Sequence, residues 1–235
     1  MHQFIYNFFQ SLETTYPVDI HRQEYLTGKP VSQLIIDNFL PNEVYQEILN
    51  ELDNYPEEMW AIKNLPSSGI RKESKNFNAT PLLRTVANSF TSDLFVSWMK
   101  KITNNDQIIP DVEFLGAGLA SAPQGSYLGL HVDFNWNNTL KLNRKFNLLF
   151  YLNKEWKEEW GGELEIWNFE KTKLESKILP MPNRLIFWEH DERLVHGYPT
   201  PIKSPSGVER QNLMVLYYTS NGSPEAEPHK SIFYN

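Results

Sequence analysis

The stretch SYLGLHVDF (126–134) alternates side-chain character along much of its length, the period of two that a strand imposes on a half-buried sheet. On that period His131 and Asp133 project to one side and Val132 to the other. An imidazole and a carboxylate on a shared face can grip one side of a metal ion, or form a buried hydrogen-bonding pair with only a local role. A histidine alone in a strand is more often a satisfied core residue, so the neighbouring segments have to decide.

Outward from this stretch, from about Val112, similar short runs follow. They are VEFLGAGLA (112–120), KFNLLFYLN (145–153), GGELEIW (161–167), RLIFWE (184–189) and RQNLMVLYY (210–218), separated by turn-rich segments. Many short strands at close spacing indicate a β-sandwich or barrel rather than a parallel α/β sheet. No dinucleotide fingerprint, P-loop or nucleophile-elbow motif is present. Earlier residues read mostly as helix. LPNEVYQEILNELDN (40–54) places Val44, Ile48, Leu49 and Leu52 on one face behind Pro41, which predicts a capped amphipathic helix. Thr80-Pro81 opens a second, with Leu83, Val86 and Phe90 in register. Leu94, Phe95, Trp98, Met99 and Ile102 predict a third. Between them NLPSSGIRKESKNFNA (64–79) is polar and contains Gly and Pro, which predicts a mobile loop. The expected organisation is a support region over 1–110, a β core over 111–221 and an extended arm over 222–235.

Composition narrows the chemistry. The 235 residues carry a net charge of −7 and no long basic run, so no nucleic-acid partner is expected. There is no cysteine, which excludes disulfides, thiolate metal sites and a cysteine nucleophile. Any metal must be held by His, Asp, Glu or backbone oxygen. No apolar run reaches the length of a membrane span, and the first residues lack the charged start and small-residue cleavage site of a signal peptide. A soluble, cytoplasmic protein is the expectation; composition leaves the oligomeric state open.

A third ligand must come from another strand. His2 and His21 lie near the N-terminal end of the sequence and His229 lies in the arm, which leaves His190 and His196. His190 sits in the charged run EHDER and reads as solvated. His196, in RLVHGYPTP, is the better choice. Two histidines and one carboxylate make a facial triad that leaves open positions on Fe(II); zinc is the alternative. In VERQNLMVLYY (208–218), Arg210, Asn212, Met214 and Leu216 share a face, and a guanidinium heading an apolar strand is costly to bury without an anion. A dicarboxylate tail suits it; a surface salt bridge is the alternative. In KFNLLFYLNKEW (145–156), Asn147, Leu149 and Tyr151 share a face, and the Tyr151 hydroxyl can reach the same anion.

Taken together these segments resemble the Fe(II)- and 2-oxoglutarate-dependent dioxygenases, in their prolyl-4-hydroxylase-like branch. The resemblance is carried by HVDF (131–134), FYLNKEWKEEWGGELEIW (150–167), RLIFWEHDERLVHGYP (184–199) and GVERQNLMVLYYT (207–219). It implies a double-stranded β-helix, or jelly roll, mainly β, with N-terminal helices packed against it. It implies His131, Asp133 and His196 as iron ligands, and Arg210 and Tyr151 on the distal carboxylate of 2-oxoglutarate. Leu164, Asn147 and Tyr127 belong to the same co-substrate set. The cofactors implied are Fe(II), 2-oxoglutarate and O2, with ascorbate a candidate reductant. Asp133 stands where halogenating relatives carry a small residue, which favours hydroxylation. Many collagen-type and plant prolyl hydroxylases carry lysine where Arg210 stands, and TPIKSPSGVE (200–209) is longer than in the oxygen sensors and reads as a hairpin insert.

The substrate implied first is a peptidyl proline; a free amino acid, sugar or other small metabolite is the alternative, and a non-catalytic jelly-roll binding or structural module is the alternative from another class. Arg71, Asn135 and Trp136 are the candidate substrate contacts.

Overall fold

In the computed structural model, which describes residues 1–234, the chain opens with α1 (His2–Gln10), α2 (Leu12–Thr15) and α3 (Val18–Thr27). It continues as β1 (Gln33–Ile36), α4 (Asn42–Asp53), a hairpin of β2 (Ala61–Leu65) and β3 (Gly69–Ser74), then α5 (Pro81–Phe90) and α6 (Asp93–Thr103). The β core follows as β4 (Ile109–Pro110), β5 (Gly118–Ala122), β6 (Leu128–Val132), β7 (Trp136–Asn137) and β8 (Leu142–Tyr151). It is completed by β9 (Leu164–Trp167), β10 (Leu174–Ile178), β11 (Leu185–Glu189), β12 (Val195–Tyr198), β13 (Arg210–Thr219) and β14 (Ile232–Phe233). Asn235, the last residue of the expected arm, lies outside the described residues.

The helices form where apolar residues recur at helical spacing. Leu83, Val86, Ala87 and Phe90 bury one face of α5, and Phe95, Trp98, Met99 and Ile102 one face of α6, while Leu94 stays exposed. Asp93 in the first turn of α6 and Lys100 and Lys101 in the last suit its macrodipole, and Asn104 ends it in the left-handed conformation. α4 begins behind Pro41 as expected, and no side chain caps its free amides. Instead α4 caps its neighbour. The Glu51 carboxylate accepts the Leu82 amide at 2.9 Å and the Leu83 amide at 3.1 Å, satisfying the open end of α5.

Two antiparallel sheets face each other. The larger runs β1-β11-β8-β13-β5-β3-β2, with β4 added on β13 and β7 on β8; the smaller runs β10-β9-β12-β6-β14. This is the double-stranded β-helix. Alternation along β8 and β11 sorts two cores. Leu148, Phe150, Leu185 and Phe187 pack outward with the helices, while Leu149, Tyr151, Ile186 and Trp188 turn inward to meet Leu164 and Ile166 of the smaller sheet. Phe150 is fully buried among Phe39, Tyr45 and Phe90. Truncating such a side chain to alanine costs about 3–5 kcal/mol. No described helix is long and apolar enough to cross a membrane.

The structure corrects several expectations. The predicted loop 64–79 contains most of a paired hairpin: β2 and β3 bond along their length, and β3 joins β5. All five residues of β2 are exposed, so no buried face imprints an alternation on its sequence. The predicted strand 112–120 begins only at Gly118, because Asp111 accepts the Leu115 and Gly116 amides, both at 3.0 Å, and holds a turn. Residues 200–209 form no hairpin; they pack irregularly with Ile202 buried beside Trp156 and Trp160. His190 is not solvated. It is half-buried, its Nε2 has no hydrogen-bond partner, and burial, then nearby Arg144, push its pKa down to about 4.

That shift has a sign. A histidine that stays neutral to about pH 4 in the fold takes up a proton near its ordinary pKa once unfolded, so stability falls as pH drops through this window. The contribution is on the order of 3 kcal/mol. Thermal midpoints measured between neutral and mildly acid pH are expected to fall less steeply in His190→Gln than in the unchanged protein. Parallel curves would remove His190 from this role.

Candidate active site

β6 and β12 pair with His131 directly opposite His196, and the two rings lie 4.5 Å apart. Gly197 permits the approach: a Cβ there would stand 2.6 Å from the Leu128 carbonyl oxygen. Asp133 follows just past the end of β6. Its oxygens lie 3.5 Å from His131 Nε2 and 3.4 Å from His196 Nε2, and one ligand atom from each residue falls within 4.8 Å of the others. Each ring's Nδ1 faces a backbone carbonyl, Gly129 at 3.0 Å and Leu194 at 3.2 Å. A proton on Nδ1 leaves the Nε2 lone pairs directed at the shared point, the tautomer a metal needs. Burial, then His196, lowers the His131 pKa and favours the neutral ligand form.

Asp133 is buried. Burial alone would raise its pKa, but Arg144 and the two histidines hold it well below the usual carboxylate range. Arg144 Nη2 sits 2.8 Å from Asp133 Oδ2, and its Nε donates to Asn147 Oδ1 at 2.7 Å. Asn147 Nδ2 reaches Asp133 Oδ2 at 3.4 Å. The carboxylate is thus ionised and braced. Two imidazoles and one carboxylate, with no sulfur donor, suit Fe(II) as a facial triad.

These residues line one end of a cavity of about 220 Å³. At the other end Arg210 is 4% exposed. Its Nη2 donates to the Tyr151 hydroxyl at 2.9 Å, its Nε to the Gly162 carbonyl at 2.8 Å, and its guanidinium lies 4.4 Å from the Tyr198 ring centre. Gly162, at φ +73°, makes room: a Cβ there would press on Arg210, Trp156 and Ile202. Among the described residues no carboxylate pairs with Arg210, an arrangement that calls for an anion. Leu149, Leu164 and Trp188 form apolar walls between the two ends. Arg71, Arg144 and Arg210 line the cavity against the single carboxylate of Asp133, so an acidic protein encloses a cationic chamber.

The fold therefore gathers His131, Asp133, His196, Arg210, Leu164 and Arg71 on one cavity, with Tyr151 behind Arg210. Four other candidates lie elsewhere. Tyr127 points to the β2–β3 turn, where its hydroxyl donates to the Pro66 carbonyl at 2.7 Å. Asn147 does not line the cavity beside Arg210, because Asp133 and Arg144 engage its amide. Asn135 is taken up by the C-terminal arm, bonding the Glu227 carbonyl and the His229 amide. Trp136 lines an adjoining cleft with Pro228, His229 and Lys230, which shares Phe134 and Ser231 with the cavity. Arg144, Tyr198 and Asn212 were missed as cavity residues. Tyr198 lies two residues after His196, so the same period pointed to it; Arg144 is the third residue of β8, just ahead of the run read as that strand, and the cost of burying a guanidinium was its only signal.

Residues 117–218 match the family model described as the 2OG-Fe(II) oxygenase superfamily. In structure the chain is similar to a prolyl hydroxylase from Trichoplax adhaerens, in complex with a hypoxia inducible factor oxygen degradation domain peptide fragment. The two share 19% identity over 89% of this chain and 91% of that one, with a TM-score of 0.63. It is similar to a Pseudomonas putida prolyl-4-hydroxylase, at 16% identity over 86% of this chain and 99% of that one, TM-score 0.59. It also resembles HygX from Streptomyces hygroscopicus with nickel, 2-oxoglutarate and hygromycin B bound, at 12% identity over 83% and 85% of the chains, TM-score 0.55. At these identities the likeness is one of fold. No curated protein matches the chain in sequence.

The placement of Asn147 is testable. Asn147→Ala is expected to weaken Fe(II) binding by about 10–100-fold, the usual cost of losing a group that orients a ligand. Titration of 2-oxoglutarate into the metal-saturated variant should give nearly unchanged affinity. The opposite pattern would put Asn147 at the co-substrate.

Proposed function

We infer the reaction from one premise: residues 117–218 are a 2OG-Fe(II) oxygenase domain, which makes the chain a dioxygenase using Fe(II), 2-oxoglutarate and O2. We propose that it hydroxylates an unactivated C–H bond, with a peptidyl proline as substrate, and that ascorbate serves as reductant. The observation that carries the reaction class is the pairing within one cavity of the His131, Asp133 and His196 cluster with a buried Arg210 that lacks a carboxylate partner among the described residues.

His131, Asp133 and His196 would hold Fe(II) through two Nε2 atoms and one carboxylate oxygen. When bound, the metal with 2-oxoglutarate and O2 supplies the oxidising power, by coupling decarboxylation of 2-oxoglutarate to hydroxylation of substrate. The remaining work is positional. Arg210, with Tyr151 hydrogen-bonded to it, binds the far carboxylate of the co-substrate and fixes its orientation. Burial keeps the Tyr151 hydroxyl protonated by raising its pKa, so it can donate to the same anion. Leu149, Leu164 and Trp188 exclude water along the co-substrate's length. Arg144 and Asn147 keep Asp133 ionised and in place.

The peptide substrate rests on likeness to prolyl hydroxylases, one of them holding a peptide, and on the β2–β3 hairpin beside the cavity. That hairpin carries the exposed Ile62, Leu65 and Ile70 together with Arg71 of the cavity wall. The fold likeness to HygX, which has hygromycin B bound, favours a small polar metabolite as the second reading.

Succinate formation with panels of proline peptides, free amino acids and sugars separates the two. Proline peptides are expected to stimulate turnover and to gain one oxygen; stimulation by small molecules alone would shift the assignment. Arg210→Ala should raise the 2-oxoglutarate requirement by about 10–100-fold, the loss of a charge-assisted contact, with the substrate requirement little changed.

A further inference from the structure

The arm 223–234 does not extend into solvent. Asn143 holds its start, donating to the Ser223 carbonyl at 3.0 Å and accepting the Glu225 amide at 2.8 Å. Asn135 holds its middle through Glu227 and His229. Ser231 Oγ accepts the Phe134 amide at 3.3 Å, β14 pairs with β6, and the Tyr234 amide bonds the Leu130 carbonyl at 2.9 Å. Lys171, at the β9–β10 turn, lies 4.0 Å from the Tyr234 ring centre. The arm is thereby held along β6.

Its register places Phe233 opposite His131. The two rings stack at 4.8 Å between centres and 21° between planes. Phe233 is still 39% exposed, and with Ser231 it lines the cavity. The ring thus covers His131 while a good part of its surface stays in water. Arg71 on β3 and Phe134 also line this cavity, while Arg210 closes the far end.

We propose that Phe233, carried by the strapped arm, is the substrate-side wall of the cavity and limits the size of the group that reaches the metal. The proposal deepens the oxygenase reading and rests on the metal lying at His131, Asp133 and His196, but not on which substrate is used. Asn135 and Asn143 act through it as positioning residues that hold the arm, which accounts for Asn135 standing close to the site yet outside the cavity.

The test uses the full chain with Co(II) and 2-oxoglutarate bound, and reads cobalt absorption while azide, imidazole and 4-phenylimidazole are added. The unchanged protein should bind 4-phenylimidazole at least about tenfold more weakly than imidazole, a steric exclusion that Phe233→Ala should erase while azide affinity stays within about twofold. Phe233→Leu, which keeps an apolar side chain on β14, should close part of the gap, so a poorly folded alanine variant leaves the outcome readable. The same gap between imidazole and 4-phenylimidazole in both variants as in the unchanged protein overturns the proposal. A peptide panel that yields no hydroxylation sinks the peptide reading alone, since the cobalt spectra do not depend on it.

Discussion

The register between β6 and β12 is the constraint on which the rest depends. His131 faces His196 because two short strands meet at one particular pairing. Side chains alternate with a period of two, so a slip of one residue would turn one of these histidines to the other face. Much of the surrounding structure pins that pairing. Gly197 lets the backbones approach, the β2–β3 turn bonds the Gly129 amide through the Ser67 carbonyl, and β14 closes the outer edge of β6. The helices contribute at a distance, by fixing the larger sheet against which the smaller one packs.

The cavity works because its ends differ in charge balance. At the His131 and His196 end Asp133 and Arg144 form a buried ion pair, and such a pair must satisfy its remaining lone pairs and protons to repay its desolvation. Asn147 bonds both partners and does so. At the far end Arg210 has hydrogen bonds to neutral oxygens and aromatic faces beside it, but no countercharge. One end thus carries a cation already paired with a carboxylate, and the other a buried cation with no carboxylate partner among the described residues.

Much of this was legible in the sequence, for an identifiable reason. β8 turns alternate residues to the helix-side core and to the core between the sheets, so alternation survives in its sequence. The face read as Arg210, Asn212, Met214 and Leu216 lies against Tyr151, Leu149 and Asn147 by pairing Asn212, Met214 and Leu216 with them in turn. Elements without a buried face left no such imprint. β2 is exposed throughout, and β14 has two residues whose place depends on the open edge of a strand far away in sequence. Sharing a face also proved weaker than sharing a cavity. Asn147 sits on the expected face but is engaged by neighbours that local sequence cannot show, and His190 is enclosed by the fold around a charged run.

The pairing of Ile232 with Val132 has a consequence for how the molecule is made. The strand that carries His131 obtains its outer neighbour from residues synthesised long after it, and closing so long a loop is slow relative to local contacts. Until then the edge of β6 presents unpaired amides and carbonyls, a template for pairing with other chains. The segment that shields it is held largely by backbone bonds and by asparagine amides, while Ile232 and Phe233 remain partly in water. An edge open to misassembly during synthesis therefore belongs to the strand that carries His131.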